Sequence, residues 1–442
     1  MAGPNDSGIA FALPGTMKPT AASLLLLLLA AAAAGCAAEV DEPALGDELI
    51  GDGKDDSIAA ATDVVNTKLG LDFATRQGKA TLTFARRGSI SVEAAGLTIS
   101  RVRDATGSKT YRKRSGRLIV SDVVSPLTVE YSFAQHSNSD GLLAGGTTVL
   151  WPYYCGNLFP CISRPSDGTT FELDITGVPA GKKVIYPHLI LTNAPAYQLA
   201  FAVGEYTTDA LGTTSAGTRV SVSYLPGGKT AAREGTQNLV KAFQWFETKL
   251  GPYQFGSDVG SVAAVWGAGA YGGMEHHPYW HVATDAMDNE ETHVHEAAHG
   301  WFGDGIRLKC WEDFVLSEGT VSYLTARAIG QVVSADAEAQ VWAGYQAELR
   351  SARAGGDRVS WPTGCNKVDI LKDGLFSTFP YMEGAYFYKD VAAAVGADKL
   401  DAVISKFYLA NRGKPAGMAD MVAMIKRETG FDPALLVIKW LR

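Results

Sequence analysis

The sequence predicts a two-part chain, an all-β sandwich followed by an α+β unit that is mostly helical. Three observations carry that expectation. Segments with period-two alternation fill residues 58–224, segments with helical spacing dominate 225–442, and the turn-rich "LPGGKT" lies between them. The 442 residues are enough for two or three domains, each with its own core. Composition is globular, with 46% apolar and 19% charged residues, and the net charge of −8 excludes nucleic acid as a partner. Such a chain has no basic surface with which to displace counterions from phosphates.

Residues 1–36 form an export signal rather than part of the fold. "MKPTAASLLLLLLAAAAAGC" has a cationic start at Lys18, an apolar run from Ala21 to Ala34 and small residues before Cys36. Roughly fifteen apolar residues suit the core of a signal peptide and are too few to span a bilayer comfortably. Met17 is a candidate start. "AAGC" resembles the lipobox of bacterial lipoproteins, in which the Cys carries the lipid; the alternative is ordinary cleavage nearby with Cys36 incidental. Either route predicts export to the bacterial cell envelope, and the first predicts membrane attachment through Cys36. Residues 37–57, including "VDEPALGDELIGDGKDDS", are acidic, lack apolar periodicity and read as a solvated tether.

Within 58–224, "LTVEYSF" puts Leu127, Val129, Tyr131 and Phe133 on one face, and "TFELDITG" does the same with Phe171, Leu173 and Ile175. "AYQLAFAVG" and "TRVSVSY" continue the alternation. Export places the remaining cysteines, Cys155, Cys161, Cys310 and Cys365, in an oxidising compartment, and an even number suggests two disulfides. Proximity favours Cys155–Cys161, which leaves Cys310–Cys365. A cysteine-rich zinc site is the rival, disfavoured because no C-x-x-C pair occurs.

After residue 225, "AAREGTQNLVKAFQWFETKLG" has helical spacing at Leu239, Phe243, Phe246 and Leu250. A strand-like "SVAAVWGAG" and "YGGMEHHPYWHVATD" follow. From Glu290 onward almost every segment reads as helix.

The chemistry concentrates in "HVHEAAHGWFGDGIRLKCWEDFVLSEG", residues 293–319. On a helix, His295 and His299 project from one face a turn apart and could hold one zinc ion. Glu296 lies about 100° round from His295, too far to join as a ligand but placed to work on a water. Glu318, on the following helix, is the candidate third ligand. The plainer alternative is a partly buried helix whose two histidines find hydrogen-bond partners.

The flanks bear on that choice. "HEAAHGWFGD" and "WEDFVLSEG", "YGGMEH" at 271–276, "YMEGAY" from Tyr381 and the closing "TGFDPALLVIKWL" together resemble alanyl-aminopeptidase-type zinc metallopeptidases. This is the gluzincin family that includes the leukotriene hydrolases, and the chain resembles a short form lacking their C-terminal helical domain. The likeness covers residues from about 226 onward closely and the β-rich half in character and position. It implies a thermolysin-like catalytic domain with one zinc per chain held by His295, His299 and Glu318. It further implies Glu296 as general base, Tyr381 as donor to the oxyanion, Glu275 as partner of a substrate's free α-amine, and Gly273 and Met274 as backbone lining the cleft. Asp313 has two readings, as a carboxylate orienting a histidine or as a helix-surface charge.

Three departures qualify the likeness. His276 stands where the family has Asn, with His277 and His281 close behind; surface or edge-strand histidines are the expectation, a second metal site the alternative. The family's second amine-binding Glu or Gln should fall in "TTVLWPYYCGNLFPC", which offers no acid. The chain also ends where a roof over the cleft would begin, which predicts a more open site. The predicted function is therefore a zinc peptidase acting on peptides or proteins, foremost an aminopeptidase. The alternatives are an open-cleft endopeptidase, more distantly an epoxide hydrolase, and a non-catalytic binding lipoprotein that retains the fold.

Overall fold

A computed structural model describes residues 63–266 and 272–442. The signal segment, Cys36, the acidic tether and Tyr271 lie outside the described residues.

The first part is built on a seven-stranded sheet. Its spatial order is Leu189–Ala194, Thr169–Thr176, Val64–Asp72, Gln77–Phe84, Leu127–Phe133, Leu97–Asp104 and Gly107–Ser108. Val64–Asp72 and Thr169–Thr176 run parallel; the neighbouring pairs are antiparallel. Alternation explains which face is dry: Leu127, Val129, Tyr131 and Phe133 are buried, and the residues between them are half-exposed. Gly88–Glu93, Arg112–Arg114 and Arg117–Val123 make a three-stranded sheet. Its Ile90, Val92, Leu118 and Val120 join the same core as the larger sheet. Cys155 is bonded to Cys161, and the backbone of Cys161 bridges to Glu93 in both directions, tying that loop to the small sheet.

The boundary predicted near 225 falls inside a sheet. Thr207–Thr213 and Arg219–Tyr224 belong with Asp258–Ala264, Tyr279–Ala283 and Gly273–Met274 in one five-stranded sheet. Arg219–Tyr224 pairs parallel to Asp258–Ala264, with Val220 opposite Val259. Parallel neighbours need a crossover, usually helical. Helices Lys229–Gly235 and Leu239–Leu250 supply it, so "LPGGKT" is the turn from strand to helix rather than a break between units. Leu239, Phe243, Phe246 and Leu250 are all fully buried, as their spacing predicts. "AYQLAFAVG" departs from simple alternation: Ala196–Gln198 is a 3-10 turn, and only Ala202–Gly204 is strand. That turn docks on the second part, where the Tyr197 hydroxyl donates to the Gly303 carbonyl at 3.3 Å and Gln198 Nε2 to the His277 carbonyl at 3.0 Å.

The helical body comprises Glu290–Ala298, Phe314–Val332, Ala335–Ala354, Thr378–Val395, Ala397–Asn411, Met418–Thr429 and Ala434–Leu441. Two helices meet glycine to glycine: a Cβ added at Gly319 would come 2.6 Å from the Gly384 Cα. This contact fixes the separation of Glu318 and Tyr381, one on each helix, because any side chain would push the backbones apart. Among the described residues no helix is long and apolar enough to cross a membrane.

Candidate metal centre

Asn289 starts the first helix of the centre by accepting the Thr292 N–H at 3.1 Å, and Glu290 and Glu291 occupy its first turn. His295 lies in the last turn, and His299 directly follows Ala298 with helical backbone angles, so both rings share a face. Glu318 enters from the buried Phe314–Val332 helix.

The three side chains converge. His299 Nε2 is 3.2 Å from His295 Nε2, His295 Nε2 is 3.3 Å from Glu318 Oε2, and His299 Nε2 is 3.4 Å from Glu318 Oε2. A tetrahedral zinc with bonds near 2.0–2.1 Å separates its ligand atoms by about 3.3 Å, so the triangle already has the edges of a tetrahedral face. Two imidazole nitrogens and one carboxylate oxygen also form the donor set that a catalytic zinc takes, with its fourth position left to solvent or substrate. Burial alone would raise the Glu318 carboxyl, but the His299 and His295 imidazoles hold it below the usual range. His299 Nδ1 lies 3.0 Å from the Phe302 carbonyl and 3.3 Å from Ser317 Oγ, contacts that direct Nε2 at the centre.

Glu296 points to the side of this triangle. A side chain at Gly273 would overlap its carboxyl, so glycine on the short edge strand Gly273–Met274 leaves that carboxyl the room it occupies. Glu275 follows on the same segment, and single ligand atoms of Glu275, Glu296 and His299 all lie within 4.8 Å of one another. Burial pushes both glutamates above the ordinary carboxyl range, with the His299 imidazole opposing. The Tyr381 ring stacks 6.0 Å from that of His295, inclined by 19°.

Several expectations change at this level. His276, His277 and His281 are buried rather than superficial, and His281 lies on an interior strand. His276 Nδ1 meets His281 Nδ1 at 3.0 Å. His277 bridges the Tyr253 hydroxyl and the Glu296 carbonyl, both at 2.8 Å. The His277 contact braces the Glu290–Ala298 helix, and burial lowers all three imidazoles toward the neutral form. Asp313 neither orients a histidine nor sits on a helix surface. Its Oδ1 accepts from Trp361 Nε1 at 3.2 Å and from the Met418 N–H at 2.9 Å. Two neighbours of the centre have weak sequence signals. Tyr197 arrives from the 3-10 turn, and fully buried Asp304 is pushed up by burial and by Glu275.

The second disulfide joins Cys310, just ahead of the Glu318 helix, to Cys365, ahead of the Tyr381 helix. Beside it, buried Glu312 accepts three backbone N–H groups, from Lys367 at 2.6 Å, Asn366 at 3.0 Å and Val368 at 3.1 Å. The Tyr153 hydroxyl accepts the Ile370 N–H at 3.1 Å. Together these contacts pin the segment leading into the Tyr381 helix.

A helix with two histidines and an adjacent glutamate, completed by a carboxylate from the next helix, is a donor set that fits a catalytic zinc ion. The comparisons with known proteins agree. Residues 274–440 match the Peptidase family M1 domain. Leucine aminopeptidase 2 of Neurospora crassa is 27% identical over 287 residues, covering 57% of this chain and 40% of that protein. Its namesake from Emericella nidulans is 26% identical over 298 residues, covering 61% and 46% respectively. The chain thus spans less than half the length of these curated relatives. In fold it is similar to an M1 zinc metallopeptidase from Deinococcus radiodurans, with a TM-score of 0.73 at 18% identity, covering 86% of this chain and 94% of that one. Yeast LTA4 hydrolase in complex with bestatin gives a TM-score of 0.72 at 18% identity, covering 87% and 68%.

Proposed function

We propose that the protein is a zinc-dependent aminopeptidase that removes N-terminal residues from peptides by attack of water. The observation that carries the exopeptidase reading is Glu275. A buried carboxyl beside Glu296 and His299 has the charge to receive a substrate's α-ammonium where the scissile bond would lie. Bound zinc would supply Lewis-acid polarisation of the scissile carbonyl and a lowered pKa for water.

The chain's own groups do the rest. His295, His299 and Glu318 hold the ion, and Ser317 and the Phe302 carbonyl keep the His299 ring oriented. Glu296 takes the proton of the attacking water and passes it to the departing amine. Tyr381, its ring stacked on that of His295, donates to the oxygen on which charge grows in the transition state. Gly273 and Met274 form a sheet edge along which an extended substrate can pair. Glu275 then sets how much chain lies before the cut.

The division of labour follows the fold. The first part, inferred to be a β-sandwich, carries the docking turn at Ala196–Gln198, and a thermolysin-like second part carries the chemistry. Export and lipidation of Cys36 belong to the same proposal and would tether the enzyme to the cell envelope. A C36A variant recovered in the soluble fraction would support that anchor; one that stays membrane-bound would oppose it.

The test of function uses aminoacyl anilides with zinc-loaded protein. Hydrolysis that Glu296→Gln abolishes while metal content stays constant is the expected result. Equal cleavage of free and N-acetylated peptides would replace the aminopeptidase by an endopeptidase, a reading favoured by the lack of an acid in residues 147–161. Inactive but metal-replete protein would leave only the binding lipoprotein.

A further inference from the structure

Away from the metal centre, the last helix presents a face that the reaction does not use. Two of the three most exposed large apolar side chains among the described residues are Leu435, at 79%, and Ile438, at 65%. They stand three positions apart on helix Ala434–Leu441 and so neighbour each other on its surface. Lys439 is the helix's one charged residue, and Leu441 the one buried residue. Single exposed leucines are ordinary; adjacent ones on an apolar helix form a patch that marks a contact surface.

Cations and aromatic rings alternate around this patch. Lys439 Nζ lies 4.5 Å from the centre of the Trp440 ring, with the Arg353 guanidinium 5.9 Å from the same ring. Tyr386 stacks on Trp440 at 5.1 Å, and Lys389 Nζ sits 4.1 Å from Trp342 and 5.4 Å from Tyr386. Arg442 lies 4.1 Å over Trp361, whose N–H donates to the Leu441 carbonyl at 3.1 Å. Arg350 and Arg353 line a groove with Tyr386 and Trp440. Carboxylates answer part of this charge: Asp390 pairs with Lys439 at 2.6 Å and Glu383 with Arg353 at 2.7 Å. Arg350, Lys389 and Arg442 are in no ion pair with a described residue.

The mixture selects its partner. A soluble acidic ligand would meet the cations and leave Leu435 and Ile438 in water. An apolar cleft on another protein would cover the leucine and isoleucine and strand the cations. A bilayer with anionic headgroups satisfies both at different depths, apolar tips entering the acyl boundary while Lys, Arg and Trp stay at the headgroups. The chain as a whole carries a net charge of −8, so an anionic surface repels it except where cations gather.

We infer that helix Ala434–Leu441, with Trp440 and the flanking cations Arg350, Lys389 and Arg442, is a docking face for an anionic lipid bilayer. Eight residues are too few to cross such a membrane, and the helix lies along its surface. The contact is separate from the lipid proposed on Cys36, and its test does not need that lipid. It has a distinct role, because 27 positions separate Cys36 from Asp63 and reach at most roughly 90–100 Å, which leaves a tethered protein free to turn. Docking on this face fixes the orientation. Being reversible and salt-labile, it does not by itself hold the protein on membranes washed in high salt.

The experiment is hydrogen exchange of the zinc-loaded full chain, read by mass spectrometry on vesicles of phosphatidylcholine or of a two-to-one mixture with phosphatidylglycerol, at low ionic strength. The amides of residues 434–441 should exchange at least fivefold more slowly on the mixed vesicles, and high salt should remove the difference. Leu435→Ser/Ile438→Ser should reduce it to less than twofold. Arg350→Glu/Lys389→Glu should weaken binding to the mixed vesicles at least tenfold, since each basic side chain near such a surface is worth about fivefold. Thermal unfolding of both variants, unchanged from the wild type, shows that the fold is kept. Equal exchange on the two kinds of vesicle, or slowing that both variants retain, overturns the inference. Slowing that grows with protein concentration in the absence of lipid would assign the face to a second copy of the chain and overturn it as well.

Discussion

Glu312 offers the sharpest test of how the cleft wall is held. Its carboxylate is fully buried and accepts the N–H groups of Asn366, Lys367 and Val368 at 3.0, 2.6 and 3.1 Å. Hydrogen bonds to a charged acceptor contribute about 1.5–3 kcal/mol each, against about 1 for neutral pairs. Glu312→Gln keeps size and one oxygen. It turns two of these bonds into neutral ones and sets an NH2 against the third N–H, for a cost of about 3–5 kcal/mol by the same figures. For a cooperative unit of roughly 200 residues, 1 kcal/mol moves Tm by about 2–4 °C, so the shift should be about 6–20 °C. The assay is thermal unfolding of zinc-loaded protein, followed by anilide kinetics at 25 °C. Activity should fall in kcat as well as in KM, because the pinned segment leads into the helix of Tyr381, the proposed oxyanion donor, while Glu296 and the ligands stay in place. A Tm within 1 °C of wild type would refute the claim that this carboxylate anchors the wall.

Cys310→Ser/Cys365→Ser opens a loop of sequence separation 55, for which chain entropy gives about 4 kcal/mol, read as a lower Tm with zinc still bound. Combined with Glu312→Gln, its effect should be less than additive, because both anchors hold one segment. Glu291 carries a carboxyl raised to about 7 by burial and by Glu348, which is itself raised to about 7 by burial. The folded state therefore keeps protons that the unfolded state releases, and stability declines as pH rises from about 4.5 to 7 and then levels off. Glu291→Gln should raise Tm at pH 8 and leave it unchanged at pH 4; an equal change at both values would contradict that sign.

What the sequence reveals depends on how local the cause is. His295, Glu296 and His299 were legible because a helix converts spacing into facing with no help from the rest of the chain. Glu318 was a candidate on the following helix that the resemblance supported, and Tyr381 was placed by resemblance alone; the physical reason they meet, Gly319 packed on Gly384, joins residues 65 positions apart and has no periodic signature. Alternation marked Arg219–Tyr224 as a strand but could not say which sheet it joins, since parallel pairing to Asp258–Ala264 is decided by the crossover. The histidines at 276, 277 and 281 looked superficial because an imidazole is polar. Their burial depends on partners, Tyr253 and the Glu296 carbonyl among them, that only the folded chain supplies. Asp313 was misjudged for the same reason, its acceptors being spoken for by Trp361 and Met418.

The central claim is that His295, His299 and Glu318 close on one zinc ion. Metal analysis of the purified protein, alongside Glu318→Ala and His299→Phe, measures this directly. One zinc per chain in the wild type, with occupancy lost in both variants and restored to neither at micromolar zinc, is the predicted result. Protein that carries no metal after incubation with zinc, or variants that bind it as well as the wild type, would contradict the account at its root.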